Sequence, residues 1–447
     1  MRSFVIMEDW QEEYHKKLIS GEEAAQLIKS EDTVSFTLGR EASTVGRALA
    51  DRKEDLQKVK ILVPFPGVDF GWYDPGWESS FELTIYHPTP ISQKMLDERR
   101  CDLEITDILC QSEGTQRESD VVITEVSSPN EKGFCSFGAS LWNKREHIKK
   151  GKLVIAEVNE HLIWTYGDNY IHVSEIDYFV KHQSTRTDVG KKGSLTGKTG
   201  KGDTDYLKKI AGHLSTLIDD GSTIQIGVGR TTEPLVKLGL LDHKCDLGYH
   251  SETTPPGVIP LVRKGIITGK YKTIHPGRVV VTSIGGASKE DMDWVNGNPL
   301  FWLVDVGYLW DIRTISAHDH MLAINNALSV DLTGQIASEN LGPRMLGTSG
   351  GQTAFAIGAL LSKGGHSITV LPSTAVNDTV SRIVAAHPAG TAITVPRNCA
   401  DIVVTEYGIA ALRGRSLRRR AEELIEIAHP AFRSELRREA RKLYWPG

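Results

Sequence analysis

The sequence predicts an α/β protein built from two tandem, structurally similar domains, each with a mostly parallel sheet. Three observations lead there. Short apolar runs alternate with helical patterns, as in Thr33–Leu38, Val45–Leu56 and Val59–Val63, which together read as a βαβ unit. Runs such as Val121–Val126 and Leu153–Val158 are apolar almost continuously, which suits parallel strands covered on both faces. The opening of this pattern also recurs: Thr33-Val-Ser-Phe-Thr-Leu-Gly-Arg40 lines up with Thr223-Ile-Gln-Ile-Gly-Val-Gly-Arg230, each ahead of a helical pattern, Val45–Leu49 and Leu235–Leu240. At 447 residues the chain is too long for one ordinary core.

In chain order, Trp10–Ile28 is expected as a helix broken at Ser20-Gly21. Strands follow at Thr33–Leu38, Val59–Val63, Leu83–Tyr86, Val121–Val126 and Leu153–Val158, with connections long enough to carry helices. The stretch His182–Asp203 is polar and rich in Gly and Lys and cannot bury enough surface to order itself. It divides the chain into a domain over 1–190, a linker or loop over 191–204 and a domain over 205–447. Asp120–Val126 also resembles Asp401–Tyr407, but their order among neighbouring strands differs, so the likeness is one of strand composition. Arg415–Tyr444 reads as a solvated amphipathic helical tail, its arginines followed by Glu422, Glu423 and Glu426.

Composition excludes several function classes. With 52 basic against 57 acidic side chains, there is no general surface for nucleic acid or an anionic membrane. No apolar run approaches the roughly 20 residues a membrane span needs, and Met1–Trp10 shows no signal-peptide core, so the expected location is the cytoplasm. Cys101, Cys110, Cys135, Cys245 and Cys399 are odd in number and widely spaced, which suits reduced core thiols, and no metal site is expected.

The chemistry is expected in Leu247–Pro256, around Glu252. From its neighbours alone this glutamate reads as part of a helix N-cap region ahead of Gly257–Gly265. Two glycine turns, Ile224–Glu233 and Gly342–Phe355, each lie between an apolar strand and a helical pattern. There, backbone N–H groups can approach an anion or a developing oxyanion. Gly227-Val-Gly229 alone would equally suggest a dinucleotide loop, but a third glycine and a ribose-binding acid are missing. His250, Ser251 and Glu252 are consecutive and cannot form a triad by themselves, and no Gly-x-Ser-x-Gly elbow occurs, so His250 is expected to position or pack.

At these residues the chain resembles the class I coenzyme A transferases, in the acetyl-CoA hydrolase/transferase branch. The likeness is densest in Ile226-Gly-Val-Gly229, His250-Ser-Glu252, Ala323–Gln335, Ser338–Gly342, Gly350-Gly-Gln352, Ser362-Lys-Gly-Gly365, Val404–Leu412 and Ile427–Pro430, and thinner in Ser127–Gly138 and Gly167–Asp177. The resemblance implies the two-domain fold of that family and Glu252 as a nucleophile that forms a glutamyl-CoA thioester. It puts oxyanion and CoA contacts at Gly350 and Gly351. Further CoA contacts are implied at Gly227, Val228, Gly229, Arg230, Thr231 and Gly347, and at Lys363 unless that is only a solvated helix-end lysine. Acyl-CoA and a small carboxylic acid are the implied substrates, with no tightly bound cofactor, and a homodimer or higher homo-oligomer is expected. An acyl-CoA hydrolase using the same glutamate and a non-catalytic CoA-binding protein are the alternatives.

Two departures matter. Arg230 stands where the family has glycine or asparagine. Ile163-Trp164 replaces a Pro-Arg pair, so Trp164 is expected either to line a more apolar acyl pocket or to belong to the core. The loop aromatics Phe65, Phe70, Trp72, Tyr73 and Trp77 carry the same two readings.

Overall fold

The computed structural model describes residues 9–39, 41–105, 118–183 and 205–445. It divides into two compact units, Met1–Lys192 with Met292–Tyr308, and Gly193–Asp291 with Leu309–Gly447. Residues 292–308 therefore group with the first unit, although chain order puts them in the second half. The run 191–204 lies outside the described residues.

The first unit holds eight parallel strands: β1 (Leu18–Ile19), β2 (Thr33–Phe36), β3 (Val59–Val63), β4 (Phe81–Ile85), β5 (Asp102–Leu103), β6 (Ser119–Val126), β7 (Gly151–Val158) and β8 (Tyr178–Lys181). Their order is β1-β8-β7-β6-β2-β3-β4-β5. The region expected as one broken helix is two helices, Trp10–Lys16 and Gly21–Gln26, with β1 between them. The break has a local cause. Ser20 Oγ accepts the N–H of Glu23 while the Glu23 carboxylate accepts the N–H of Ser20, a capping box that starts a new helix.

The second unit holds β9 (Thr223–Ile226), β10 (Gly248–Thr253), β11 (Val279–Ser283), β12 (Met321–Asn326), β13 (His366–Val370), β14 (Ile402–Thr405) and β15 (Gly408–Ala411). They run β15-β14-β13-β12-β9-β10-β11, parallel except for the β14–β15 hairpin. The repeat read in the sequence is therefore a repeat of topology: β8-β7-β6-β2-β3-β4 corresponds strand for strand to β14-β13-β12-β9-β10-β11. In each unit the first long strand is central. The chain builds outward on one side of it and returns to the other, which leaves a crevice at the carboxyl ends where the direction reverses. Asp120–Val126 falls in β6, beside the central strand, whereas Asp401–Tyr407 begins in β14, with two strands between it and β9; that likeness is indeed composition only.

The loop aromatics are core rather than pocket. Phe70, Trp72 and Tyr73 are buried, Phe70 and Trp72 rings are 4.6 Å apart, and Trp72 lies 5.8 Å from both Phe36 and Phe81. Trp77 stacks on Phe81, and Phe65 stands apart on His87. Gly46 in α1 (Ser43–Ala50) admits this cluster, because a Cβ there would lie 2.5 Å from the Phe70 ring. The C-terminal tail is two helices, Leu417–Glu426 and Pro430–Tyr444, burying Leu424, Ile425 and Leu436 and pairing Arg419 with Glu423 and Arg437 with Glu426. Among the described residues no helix is long and apolar enough to cross a membrane, and no group of three metal-ligating side chains occurs. Cys135 is buried, but Cys245 is exposed and so is not a core thiol.

Helix α1 depends on a distant residue. Its N-cap is Ala42, which has no side-chain acceptor. Glu157, at the end of β7 and fully buried, supplies one instead: its carboxylate accepts from Thr44 N (2.9 Å), Val45 N (3.1 Å), Thr44 Oγ1 (3.0 Å) and His182 Nδ1 (2.5 Å). Glu157→Ala strands these donors in the interior, and urea unfolding should show a loss of about 3 kcal/mol. A loss under about 1 kcal/mol would mean that the helix end finds other partners.

Candidate active site

Glu252 lies within β10, on a strand whose course is set by close backbone approach. A Cβ on Gly248 would meet Lys272 Cγ at 2.5 Å and Thr223 Oγ1 at 2.7 Å, so only glycine lets β10 run beside β9 there. The β9–β10 pairing ends at Ile224–Tyr249. Beyond it Ser251 Oγ bridges the N–H (3.3 Å) and C=O (3.2 Å) of Ile226. Side chains alternate along a strand, so Ser251 points one way and His250 and Glu252 the other. The N-cap reading of Glu252 does not hold: the next helix, Val258–Arg263, is capped by Gly257 in the left-handed conformation, φ 105°.

Two donors meet one carboxylate oxygen. Trp310 Nε1, at the end of α2 (Val306–Trp310), and the backbone N–H of Gly351, at the start of α3 (Gln352–Leu361), both lie 2.8 Å from Glu252 Oε1. Oε2 accepts no hydrogen bond among the described residues. Burial raises the Glu252 pKa above the usual carboxylate range, while the Gly351 and Trp310 donors pull it back. The positive end of α3 favours the ionised form as well. Gly350, with φ 50°, turns the chain into α3, and a Cβ on it would stand 3.7 Å from Oε1. Gly351 is tighter: a Cβ there would be 2.3 Å from Trp310 Nε1 and 2.4 Å from Glu252 Oε1. Glycine at 351 is thus part of the carboxylate's seat, not only a donor beside it.

His250 backs this arrangement. It is fully buried, its ring 4.7 Å from that of His318, and burial together with His318, Lys272 and His275 drives its pKa far down. A neutral imidazole carries one N–H, and Nε2 lies 3.3 Å from the Leu309 carbonyl, so Nε2 holds the proton and donates it there. Leu309 precedes Trp310, so the strand face that carries the carboxylate also holds the residue next to its indole donor.

The other expected residues divide. A Cβ at Gly227 or Gly229 would collide with the Asn325 or Asn326 side-chain oxygen, at 2.3 and 1.4 Å, so packing against β12 alone demands both glycines. Val228 borders a cavity of about 10 Å³, water-sized, whose walls include Glu233, Thr253 and Gly286. That brings this turn beside the residue after Glu252. Arg230 is exposed and Thr231 buried. Gly347 is buried and donates to the Glu339 carbonyl at 3.0 Å. Lys363 follows the far end of α3, about 15 Å of helix from Gly351; it is 84% exposed and faces Asp319. It is not brought to Glu252. Trp164 belongs to the first unit, half-buried, its backbone bonded to Asn296 and Gly297. Sequence reasoning missed Trp310, because it lies 58 residues from Glu252 in a short helix with no motif around it.

Residues 103–189 match the acetyl-CoA hydrolase/transferase N-terminal domain and residues 287–440 the C-terminal domain of the same name. The 4-hydroxybutyrate coenzyme A transferase of Clostridium kluyveri is 36% identical over 98% of this chain and all of its own. The succinyl-CoA:cyclohexane-1-carboxylate CoA transferase of Geobacter metallireducens is 32% identical over 97% of both chains. Among solved structures, RipA from Yersinia pestis superposes with a TM-score of 0.88 at 27% identity, covering 98% of this chain and 100% of RipA. Likeness of this extent, running through both units and through the strand that bears Glu252, makes the chain a member of the acetyl-CoA hydrolase/transferase family.

Proposed function

We propose that the protein is an acyl-CoA:carboxylate CoA-transferase that works by a ping-pong mechanism through a glutamyl-CoA thioester on Glu252. The observation that carries this reading is the asymmetry of the carboxylate, with both N–H donors on Oε1 and Oε2 unengaged. Oε2 is the nucleophile. It attacks the acyl-CoA carbonyl, the C–S bond breaks, and an acyl-glutamyl anhydride and CoA thiolate result. The thiolate then attacks the glutamyl carbonyl carbon and expels the acid as its carboxylate. In that second step the negative charge develops on Oε1, where Trp310 and Gly351 already donate, so stabilisation requires no rearrangement. An incoming carboxylate reverses both steps. Each half-reaction converts one thioester into another, so no nucleotide triphosphate is required.

Incubated with acyl-CoA and no acceptor, the protein should accumulate a hydroxylamine-sensitive adduct that maps to the Gly248–Pro256 peptide. Glu252→Gln should fold, form no adduct and lose several orders of magnitude in transfer rate. Release of free thiol at one rate with and without every acid tested would establish a hydrolase instead. No adduct together with near-native transfer by Glu252→Gln would remove this glutamate from the chemistry.

The ionised carboxylate is the reactive form, so the rate of adduct formation should fall as pH drops through the raised Glu252 pKa. Its acid limb should therefore lie above the 4.5 of an ordinary glutamate. Trp310→Phe removes a donor that lowers this pKa, so the limb should move to higher pH and the rate should drop about 100-fold. An unchanged limb would show that the indole does not act on Glu252 in solution.

Gly351→Ala should abolish adduct formation as fully as Glu252→Gln does, because the added methyl and the present positions of Oε1 and the indole cannot coexist. Retention of more than a tenth of the rate would show that the seat can widen.

A further inference from the structure

The proposed chemistry uses only the second unit, yet the first unit carries a buried charge of its own near the point where its sheet reverses direction. Lys144, the first residue of the helix Lys144–Lys150, is 2% exposed. Its ammonium makes no hydrogen bond among the described residues. It stands 5.6 Å from the centre of the Phe137 ring, and Glu125 at the end of β6 is the opposite charge that acts on it. Beside it Ser140 Oγ is also buried and without a hydrogen-bond partner among the described residues. Both atoms converge on one point: a Cβ on Gly39, just past β2, would sit 3.0 Å from Ser140 Oγ and 3.2 Å from Lys144 Nζ. Gly39 has φ 136°, a conformation that itself favours glycine.

The neighbouring polar groups are engaged. Thr37 Oγ1 donates to Thr124 Oγ1 at 2.9 Å, and Asn159 Nδ2 donates to Glu125 Oε1 at 2.8 Å. The two groups left over are both able to donate. They lie at the carboxyl ends of β2 and β6, the adjacent strands between which the sheet reverses its direction of growth, and open parallel sheets bind ligands at that position. Gly39 and Ser140 are each partly open to the surface, while the lysine lies beneath them.

We propose that Lys144 and Ser140 form a binding site in the first unit for one carboxylate group of a small carboxylic acid. One carboxylate oxygen takes the ammonium and the other the hydroxyl, across the bare Cα of Gly39. A singly charged, flat acceptor fits better than phosphate, because any further negative charge would face Glu125. The site goes beyond the glutamyl reading and does not depend on it.

The test uses the full-length Glu252→Gln chain, in which no covalent step can occur, and titrates butyrate, succinate and inorganic phosphate by ligand-observed NMR. Both carboxylates should bind saturably, with phosphate at least tenfold weaker. Lys144→Met keeps the length of the side chain and removes a buried charge, so it should melt no lower than its parent while carboxylate affinity falls at least tenfold. Ser140→Ala removes one donor and should cost about threefold to tenfold, so the site remains testable if the Met variant fails to fold. Unchanged affinity in either folded variant would overturn the proposal and leave Lys144 a structural counter-charge to Glu125. Phosphate binding as tight as carboxylate would overturn the stated ligand class. Because Glu252 is inactive throughout, failure here leaves the glutamyl adduct untouched, and absence of that adduct leaves this measurement valid.

Discussion

The chemistry proposed for the second unit depends on one constraint: a half-buried carboxylate held through a single oxygen. Two N–H groups at 2.8 Å fix Glu252 Oε1, and each belongs to an element that must be held in place for the pair to converge. Gly351 is placed by α3, which seats closely on the helix Ile312–Ser316; a Cβ on Gly358 would stand 2.5 Å from Ile315 Cγ2. Trp310 is placed through its neighbour, whose carbonyl receives the His250 proton. A carbonyl only accepts, so His250 donates from Nε2, and burial beside His318 and Lys272 keeps the ring neutral. The strand that carries Glu252 therefore also orders its donor.

Much of this was legible in the sequence, and what was not has physical reasons. The strands and the repeat were readable because apolar runs are local signals, whereas Glu252 by its neighbours alone reads as an N-cap residue and was singled out by the family likeness. Several motifs that carried the family likeness do structural work. Asp331 in Ser329–Gln335 takes the N–H groups of Thr333 and Gln335 and so closes a turn. His429-Pro430 begins the last helix, with the imidazole accepting from Ala431. Glu406, beyond β14, accepts from Ser373 N and Oγ. Motif density marked the fold as much as the site. Lys363 looked relevant through its motif, yet a helix length separates it from Gly351, whereas Trp310 reaches Glu252 across 58 residues that no local period connects.

The loop aromatics were left with two readings for a related reason. A Pro/Gly-rich run with five large rings resembles a pocket wall as much as a core in sequence, because local pattern cannot tell an exposed turn from one folded over a sheet. Gly46 decides it: by omitting a side chain, α1 lets Phe70 reach Phe36 and Trp72, and the loop closes the core.

Two buried carboxylates and the half-buried Glu252 show how charge is treated across the fold. Glu157 has both oxygens occupied by four donors, as expected of an acid that only caps a helix. Glu41 has two backbone donors on one oxygen and none on the other, and burial raises its pKa to about 8, so at neutral pH it is held as the acid and no charge is buried. Glu252 lies between these cases: its two donors on one oxygen partly offset the burial that raises its pKa, and the other oxygen has no hydrogen bond among the described residues. A fully satisfied ion is inert, and a protonated acid is a poor nucleophile. Half-satisfaction is what a reactive carboxylate requires, because each hydrogen bond on the attacking oxygen would have to break before a new covalent bond forms.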